Sequence, residues 1–316
     1  MYLINRFVVL TVLLAAAGMV SCGSSGDRTA ELKLGLEQGK TYRTRQVTDQ
    51  KVTQTMQGRE IKANTLTTHD LAFEVTGVDS EGNMTVQVTF ERIASEMESG
   101  GRKMSFDSAE PEQEPNPMAK SLGAMAGQSY TMVLSEKGQP LSITGMDSIV
   151  NRMIDSMEMP DESQRERMKQ QFGEAFGEQQ SKDMCGQMFG MIPPGPVSEG
   201  EQWNCSSSTT AMIPMEWEQT WLLKEIKDDV FVIGGEAITS GHSGDKPMEM
   251  GPMKVFMDFD GTQSGTMELD SKTGLVVGGK MLMKMIGEQR IEDGPPQVKG
   301  QSIPMEMEMT VTWQRL

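Results

Sequence analysis

Polar and apolar residues alternate with a period of two over most of this chain. Met84, Val86, Val88 and Phe90 fall on one side of an extended segment, with Thr85, Gln87, Thr89 and Glu91 on the other. Towards the end, Met305, Met307, Met309, Val311 and Trp313 alternate with Glu306, Glu308, Thr310 and Thr312. Such spacing predicts strands with one covered and one wet face, as in antiparallel sheets. Turn-forming residues separate the runs at Gln57-Gly58, Asp79–Asn83, Lys137-Gly138, Asp228-Asp229 and Thr273-Gly274. Residues 41–68, rich in Thr and Gln on both faces, read as a long, weakly buried hairpin turning at Gly58.

The period changes in the middle of the chain. Ile149, Val150, Met153, Ile154 and Met157 recur at helical spacing between Met146 and Met159. Pro160 ends that helix, and Asp161 begins a second whose apolar face is Met168, Phe172 and Phe176. Residues 181–190 continue in the same manner until Ile192, Pro193, Pro194, Gly195 and Pro196 break the pattern. Residues 107–118, rich in Glu and Pro, read as an exposed acidic loop.

The flanks of this insert resemble each other. Gly39-Lys40-Thr41-Tyr42 opens one and Gly200-Glu201-Gln202-Trp203 the other, each leading into a polar strand. A hairpin and a strand–turn–strand with glycine follow on each side, at Gly138 and Gly274. The expected fold is mainly β with minor α. Antiparallel sheets form two related halves, residues 31–145 and 199–316, each compatible with an open half-barrel, with a helical and Pro-rich insert at 146–198.

The start of the chain reads as an address. Arg6 precedes an apolar run, Phe7 to Gly18, that is too short to span a bilayer as a helix. Met19-Val20-Ser21-Cys22 then resembles a lipobox, which makes residues 1–21 a signal peptide and Cys22 the acylated first residue of a tether, 22–30. Each buried methylene of such chains contributes about 0.8 kcal/mol to anchoring. Gly23 rather than Asp after the cysteine, with no acidic run following, implies an outer-membrane anchor and a body facing the periplasm.

Charge and composition narrow the function. Forty-five acidic against 29 basic side chains repel phosphate backbones, so no nucleic-acid partner is expected. Removing the leader takes away one Arg and no acid, so the mature body is held at the membrane by its lipid and not by its surface. In an oxidising compartment Cys185 and Cys205 are expected to form a disulfide. Closing a loop of about 20 residues is worth about 3 kcal/mol.

The chain also resembles a family of uncharacterised Gram-negative lipoproteins classed as a domain of unknown function. The resemblance rests on Gly39-Lys40-Thr41-Tyr42, Gln54–Gly58, Leu134-Ser135 with Gly138, and Phe172-Gly173-Glu174. It continues at Val197 with Gly200, Glu201 and Trp203, at Asp270 with Thr273-Gly274, and at Ile303-Pro304. It implies an extracytoplasmic lipoprotein and carries over no functional residue.

Catalytic signals are poor. His242, Ser243 and Asp245 are too close in sequence to face one another as a triad, and His69 and Asp70 fall on opposite faces of a strand. Asp258-Phe259-Asp260-Gly261 places its glycine too early for an EF-hand and reads as an acidic turn. No phosphate loop or zinc-protease motif occurs, and no enzyme, cofactor or resident metal is expected. The outlier is methionine, 30 in all, concentrated in rows such as Met281, Met283, Met285 and Met305, Met307, Met309. Three readings stay open. These six residues line a cavity for a hydrophobic or amphiphilic ligand, in a half-barrel like those that wrap acyl chains in lipoprotein carriers. Alternatively their thioethers hold Cu(I). In the third, they are packed core in a scaffold that binds a protein partner.

Overall fold

The computed structural model describes residues 28–110, 116–157, 161–175, 177–209, 214–244, 247–250 and 253–316. Cys22 and the leader lie outside them. The elements run in chain order β1 (Thr29–Ala30), β2 (Thr41–Met56), β3 (Arg59–Val78), β4 (Met84–Ser99), β5 (Arg102–Asp107), α1 (Pro117–Met125), β6 (Ser129–Leu134) and β7 (Pro140–Thr144). Three helices follow, α2 (Met146–Ser156), α3 (Glu162–Ala175) and α4 (Glu178–Phe189), then β8 (Val197–Ser198), β9 (Gln202–Thr209), β10 (Met215–Ile226) and β11 (Val230–His242). The chain ends with β12 (Met248–Met250), β13 (Met253–Asp270), β14 (Val276–Asp293) and β15 (Ser302–Arg315).

Among the described residues thirteen strands form one antiparallel sheet. From its middle the order β2-β3-β4-β6-β7 runs to one edge, and β14-β13-β11-β10-β9 runs to the other. β15 joins the two series by pairing with both β14 and β2. The mainly antiparallel architecture agrees with the alternation in the sequence. The sheet does not close on itself; α4 packs against both β7 and β9 and so fills the gap between its edges.

The flanks of the helical insert repeat in hydrogen bonds as well as in sequence. Gly39, at φ 79°, donates to the Val75 carbonyl, and the Val75 amide donates back to Lys40. Gly200, at φ 85°, donates to Leu223, whose amide returns to Glu201. Each glycine adopts the left-handed turn that lets a strand enter beside the next hairpin. The hairpin expected at Gly58 is present, with Gln57 at φ 51° and Gly58 at φ 75°, the pair of positive angles a two-residue turn between twisted strands requires.

Helix α2 buries Ile149, Val150 and Ile154, as its spacing predicts, and ends at Ser156; residues 158–160 lie outside the description. The side chains of Phe172 and Phe176 also lie outside it, so the apolar face expected there is not described. One helix departs from the expected loop at 107–118. Asn116 accepts a hydrogen bond from the Ala119 amide, Pro117 takes the first helical position, and α1 follows.

Among the described residues two large apolar clusters form most of the core, and a third, smaller one gathers Val255, Ile291 and Ile303. The first gathers Leu71, Phe73 and Val75 of β3, Val86 and Val88 of β4, Met132 and Leu134 of β6, and Cys185 and Phe189 of α4. The second gathers Trp203, Trp221, Leu223, Ile233, Met267, Leu269 and Met281 around Met191 and Val197. Residues 28–36 cross beneath both. Ala30 and Leu32 enter the second cluster, Leu34 and Leu36 the first. The Leu34 amide donates to Glu136 in the β6–β7 turn and the Gly35 amide to Thr273 in the β13–β14 turn. Gly35 has no room for a side chain, since a Cβ there would stand 2.4 Å from the Lys272 carbonyl oxygen. At the other end of this segment, Arg28 is held by Glu199 at 2.6 Å and by the Ile226 carbonyl at 2.6 Å.

Candidate functional site: a cavity between the two cores

A cavity of about 270 Å³ opens between the two large clusters, which meet at Ile192. Tyr42 and Thr44 of β2, Leu71 and Phe73 of β3, and Phe189 of α4 line one side. Leu275 and Val276, with Trp313 of β15, line the other, and Gln46 lies between. Strand pairing explains the assembly. Tyr42 stands opposite Phe73, Thr44 opposite Leu71, and Trp313 opposite Gln46, so all share one face of the sheet. The rim carries Arg43, Asp270, Thr273, Arg315 and Leu316.

The rim charges are already arranged. Arg43 pairs with Glu91 through its Nε at 3.0 Å from either carboxylate oxygen. Arg315 is held through Nη2 by Asp270 Oδ2. The other oxygen of Asp270 caps the β13–β14 turn, accepting from the Thr273 amide at 2.9 Å, Thr273 Oγ1 at 3.0 Å and the Lys272 amide at 3.1 Å. Burial pushes the Asp270 carboxyl up, but these hydrogen bonds and Arg315 outweigh it and leave its pKa lowered.

None of the six expected methionines borders this cavity. They do share the face of the sheet that carries Trp313, with Met283 opposite Met309 and Met285 opposite Met307. Met281 and Met285 are buried, while Met283, Met305, Met307 and Met309 are half-buried. Their side chains lean apart. Met281 and Met285 lie against Gly265 and Gly261 of β13, where an added Cβ would meet Met281 Sδ at 2.7 Å and Met285 Cγ at 2.8 Å. On the opposite side, Gln50 and Gln54 of β2 donate to the sulfurs of Met307 and Met305 at 2.8 and 3.3 Å. Cross-strand partners are thus drawn towards different neighbours, a poor arrangement for thioethers to converge on one soft metal ion.

The expected disulfide is not formed. Cys185 and Cys205 are free thiols. Cys185 packs from α4 into the first cluster, whereas Cys205 lies on β9 against the second and donates to Gln219 Oε1 at 3.3 Å. Burial pushes the Cys185 thiol up to about 11 and raises that of Cys205, so neither is a ready thiolate.

The remaining candidates sort by geometry. His69 lies on the inner face, edge-on to Phe90 at 6.2 Å; Asp70 turns outwards to a two-pronged pair with Arg45 at 2.6 and 2.7 Å. Burial pushes the His69 pKa down, against the pull of Asp70. His242 Nδ1 approaches Asp258 Oδ1 at 3.2 Å on the exposed face, while Ser243 Oγ accepts the Met257 amide, and Asp245 lies outside the described residues. The acidic turn expected at Asp258–Gly261 is instead the interior of β13, because its alternation continues unbroken through Gly261, paired with Met285. Among the described residues no three His, Cys, Asp or Glu side chains are grouped to hold a metal.

Sequence reasoning missed the cavity residues Tyr42, Phe73, Phe189, Trp313 and Arg315. Tyr42 and Trp313 carried a signal, as a repeated motif position and as a strand row, but only the β2–β15 pairing brings them together.

No curated protein matches this chain. Among solved structures it is similar to one of lipid–protein interactions in lipovitellin, with a TM-score of 0.46 and 6% identity over 89% of this chain. This chain spans about a quarter of that one, 25% of its length. It is also similar to OccK7 (OpdD) of Pseudomonas aeruginosa, with a TM-score of 0.23 and 6% identity over 88% of this chain and 99% of that one. A mutant porin of Rh. blastica gives a TM-score of 0.23 at 8% identity, covering 86% and 99%. None superposes well enough to bear on what this chain binds. The family match is of another kind, since it runs from the β3–β4 turn through the helical insert to the start of β14 and so spans both series of strands. Its extent, residues 81–276, shows that the chain belongs to a family of unknown function, DUF6263.

Proposed function

We propose that this chain is a non-catalytic binding protein, anchored through Cys22 to the outer membrane and facing the periplasm, which holds one small hydrophobic or amphiphilic molecule in the cavity between its cores. The observation that carries the reading is the cavity itself. Two clusters pack tightly on either side of it, yet Tyr42, Phe73, Phe189 and Trp313 leave about 270 Å³ unfilled. The mouth is open, so an apolar chain that enters displaces water from the apolar lining, and that displacement is favourable. The lining is apolar with a few polar groups at the rim, the usual pattern of small-molecule sites. The lipobox-like Met19-Val20-Ser21-Cys22 supports the anchor.

Native mass spectrometry of the chain exported to a bacterial periplasm without its anchor tests this. The expected spectrum carries a mass excess removable by organic solvent, which Thr44→Trp abolishes by filling the cavity. A clean ligand-free mass from both proteins would overturn the reading in favour of a protein partner.

A further inference from the structure

We infer that the ligand is a single-chain amphiphile with an anionic head, whose carboxylate is received by Arg315 at the rim; this rests on the binding role proposed above. Size gives the first argument. If a methylene takes roughly the ~30 Å³ share of a liquid water, the cavity holds a chain of about nine carbons, one tail and not two.

Among the lining residues Arg43 and Arg315 carry positive charge, but they are not equivalent. Arg43 alternates with Tyr42 and Thr44, faces the other side of the sheet, and spends its Nε on Glu91. Arg315 stands opposite Thr44, in the same row as Trp313, and so projects from the face that lines the cavity. Asp270 engages its Nη2, which leaves Nε and Nη1 without a partner among the described residues. The side chain is 53% exposed, so those donors are open to solvent at the mouth. A guanidinium with free donors beside an apolar pocket recognises a carboxylate through charge-assisted hydrogen bonds.

Asp270 both positions and restrains Arg315. Its Oδ1 is saturated by the β13–β14 turn, and that fixes Oδ2 where the guanidinium meets it. An incoming carboxylate shares Arg315 with this fixed negative charge. Asp270→Asn retains an oxygen for the turn and removes the competing charge, so it is expected to tighten binding of an anion.

The test is calorimetric titration of the mature chain with decanoate and with decanol, which share a tail length and differ in head charge. Arg315→Gln is expected to weaken decanoate ~10- to 100-fold while decanol changes less than about twofold. Asp270→Asn is expected to tighten decanoate and leave decanol unchanged. Equal losses for both ligands in Arg315→Gln, or no loss for decanoate, would overturn the assignment while leaving the cavity as a binding site. If the wild-type chain binds neither ligand, and its exported form carries no extractable mass, the binding role falls as well. Thermal melting of each variant separates a lost contact from a lost fold.

Discussion

Arg92 and Asp107 illustrate how much a single pair can hold. The guanidinium meets the carboxylate at 2.9 and 2.5 Å where β5 folds back on β4, and Asp107 also caps the Ala109 amide. Arg92, and secondarily that amide, hold the Asp107 carboxyl at about 2, below its ordinary 3.8. A carboxyl whose pKa falls on folding stabilises the protein above its unfolded value, and that contribution disappears as the pH drops from about 4 to about 2. Asp107→Asn should therefore lower the urea midpoint at pH 6, and the gap from wild type should narrow below pH 4 and close only below about pH 2. A gap independent of pH would show that the pair does not titrate in this way. At this scale the sequence was legible in one dimension only. Alternation placed Met281, Met285, Met305 and Met307 on a common face, correctly. It carries no information on which way a long side chain leans across that face, and that direction separates a packed row from a cavity wall. The two cysteines failed for a related reason. Their separation along the chain allowed a bridge, but α4 and β9 direct them into different clusters.

Strands β13 and β14 are built on glycines that make space rather than turns. A Cβ at Gly265 would stand 2.1 Å from the Lys280 carbonyl oxygen and 2.7 Å from Met281 Sδ. The carbonyl belongs to the paired strand and cannot step aside without breaking the ladder. Gly265→Ala should cost about 2–3 kcal/mol by overpacking. Gly77→Ala, whose nearest contact would be Thr85 at 3.9 Å, should cost well under half of that. Equal midpoints for the two variants in urea unfolding would refute this account of the sheet. Strands and their turns were the most legible elements, because burial on one face enforces a period that any window of six residues displays. Helix α1 escaped notice although Asn116 and Pro117 are a fair helix start. They close a run of Glu and Pro whose composition favours a loop, and that run hid the helical spacing of Met118, Leu122 and Met125 behind it. At Asp258 the error ran the other way, as two acids and a glycine were taken for a turn inside an 18-residue strand.

For the molecule as a whole, the two series of strands behave as one sheet because β15 pairs along its length with β2. All four tryptophans, Trp203, Trp217, Trp221 and Trp313, lie in residues 199–316, while Tyr42 and Tyr130 lie in the other half. Tryptophan fluorescence therefore reports the second half, and its denaturation midpoint should coincide with that of far-ultraviolet circular dichroism, which reports the strands of both. Distinct midpoints would mean that the halves fold as independent units. The matching turns at Gly39 and Gly200 could be read from the sequence, but the seam between the two series of strands could not, since pairing between distant strands leaves no local trace in either. The same is true of residues 28–36, taken for the end of a tether and the start of the N-terminal half. That segment has a consequence for how the protein is made. Its amides reach Glu136 and Thr273, turns that emerge from the ribosome long after it does. Residues 28–36 thus cannot complete their contacts until the turns at Glu136 and Thr273 have followed them, and Leu32 waits as well on Met267, Leu269 and Met281 of the second cluster. A chain truncated before Thr273 lacks one of the two turns that hold this segment.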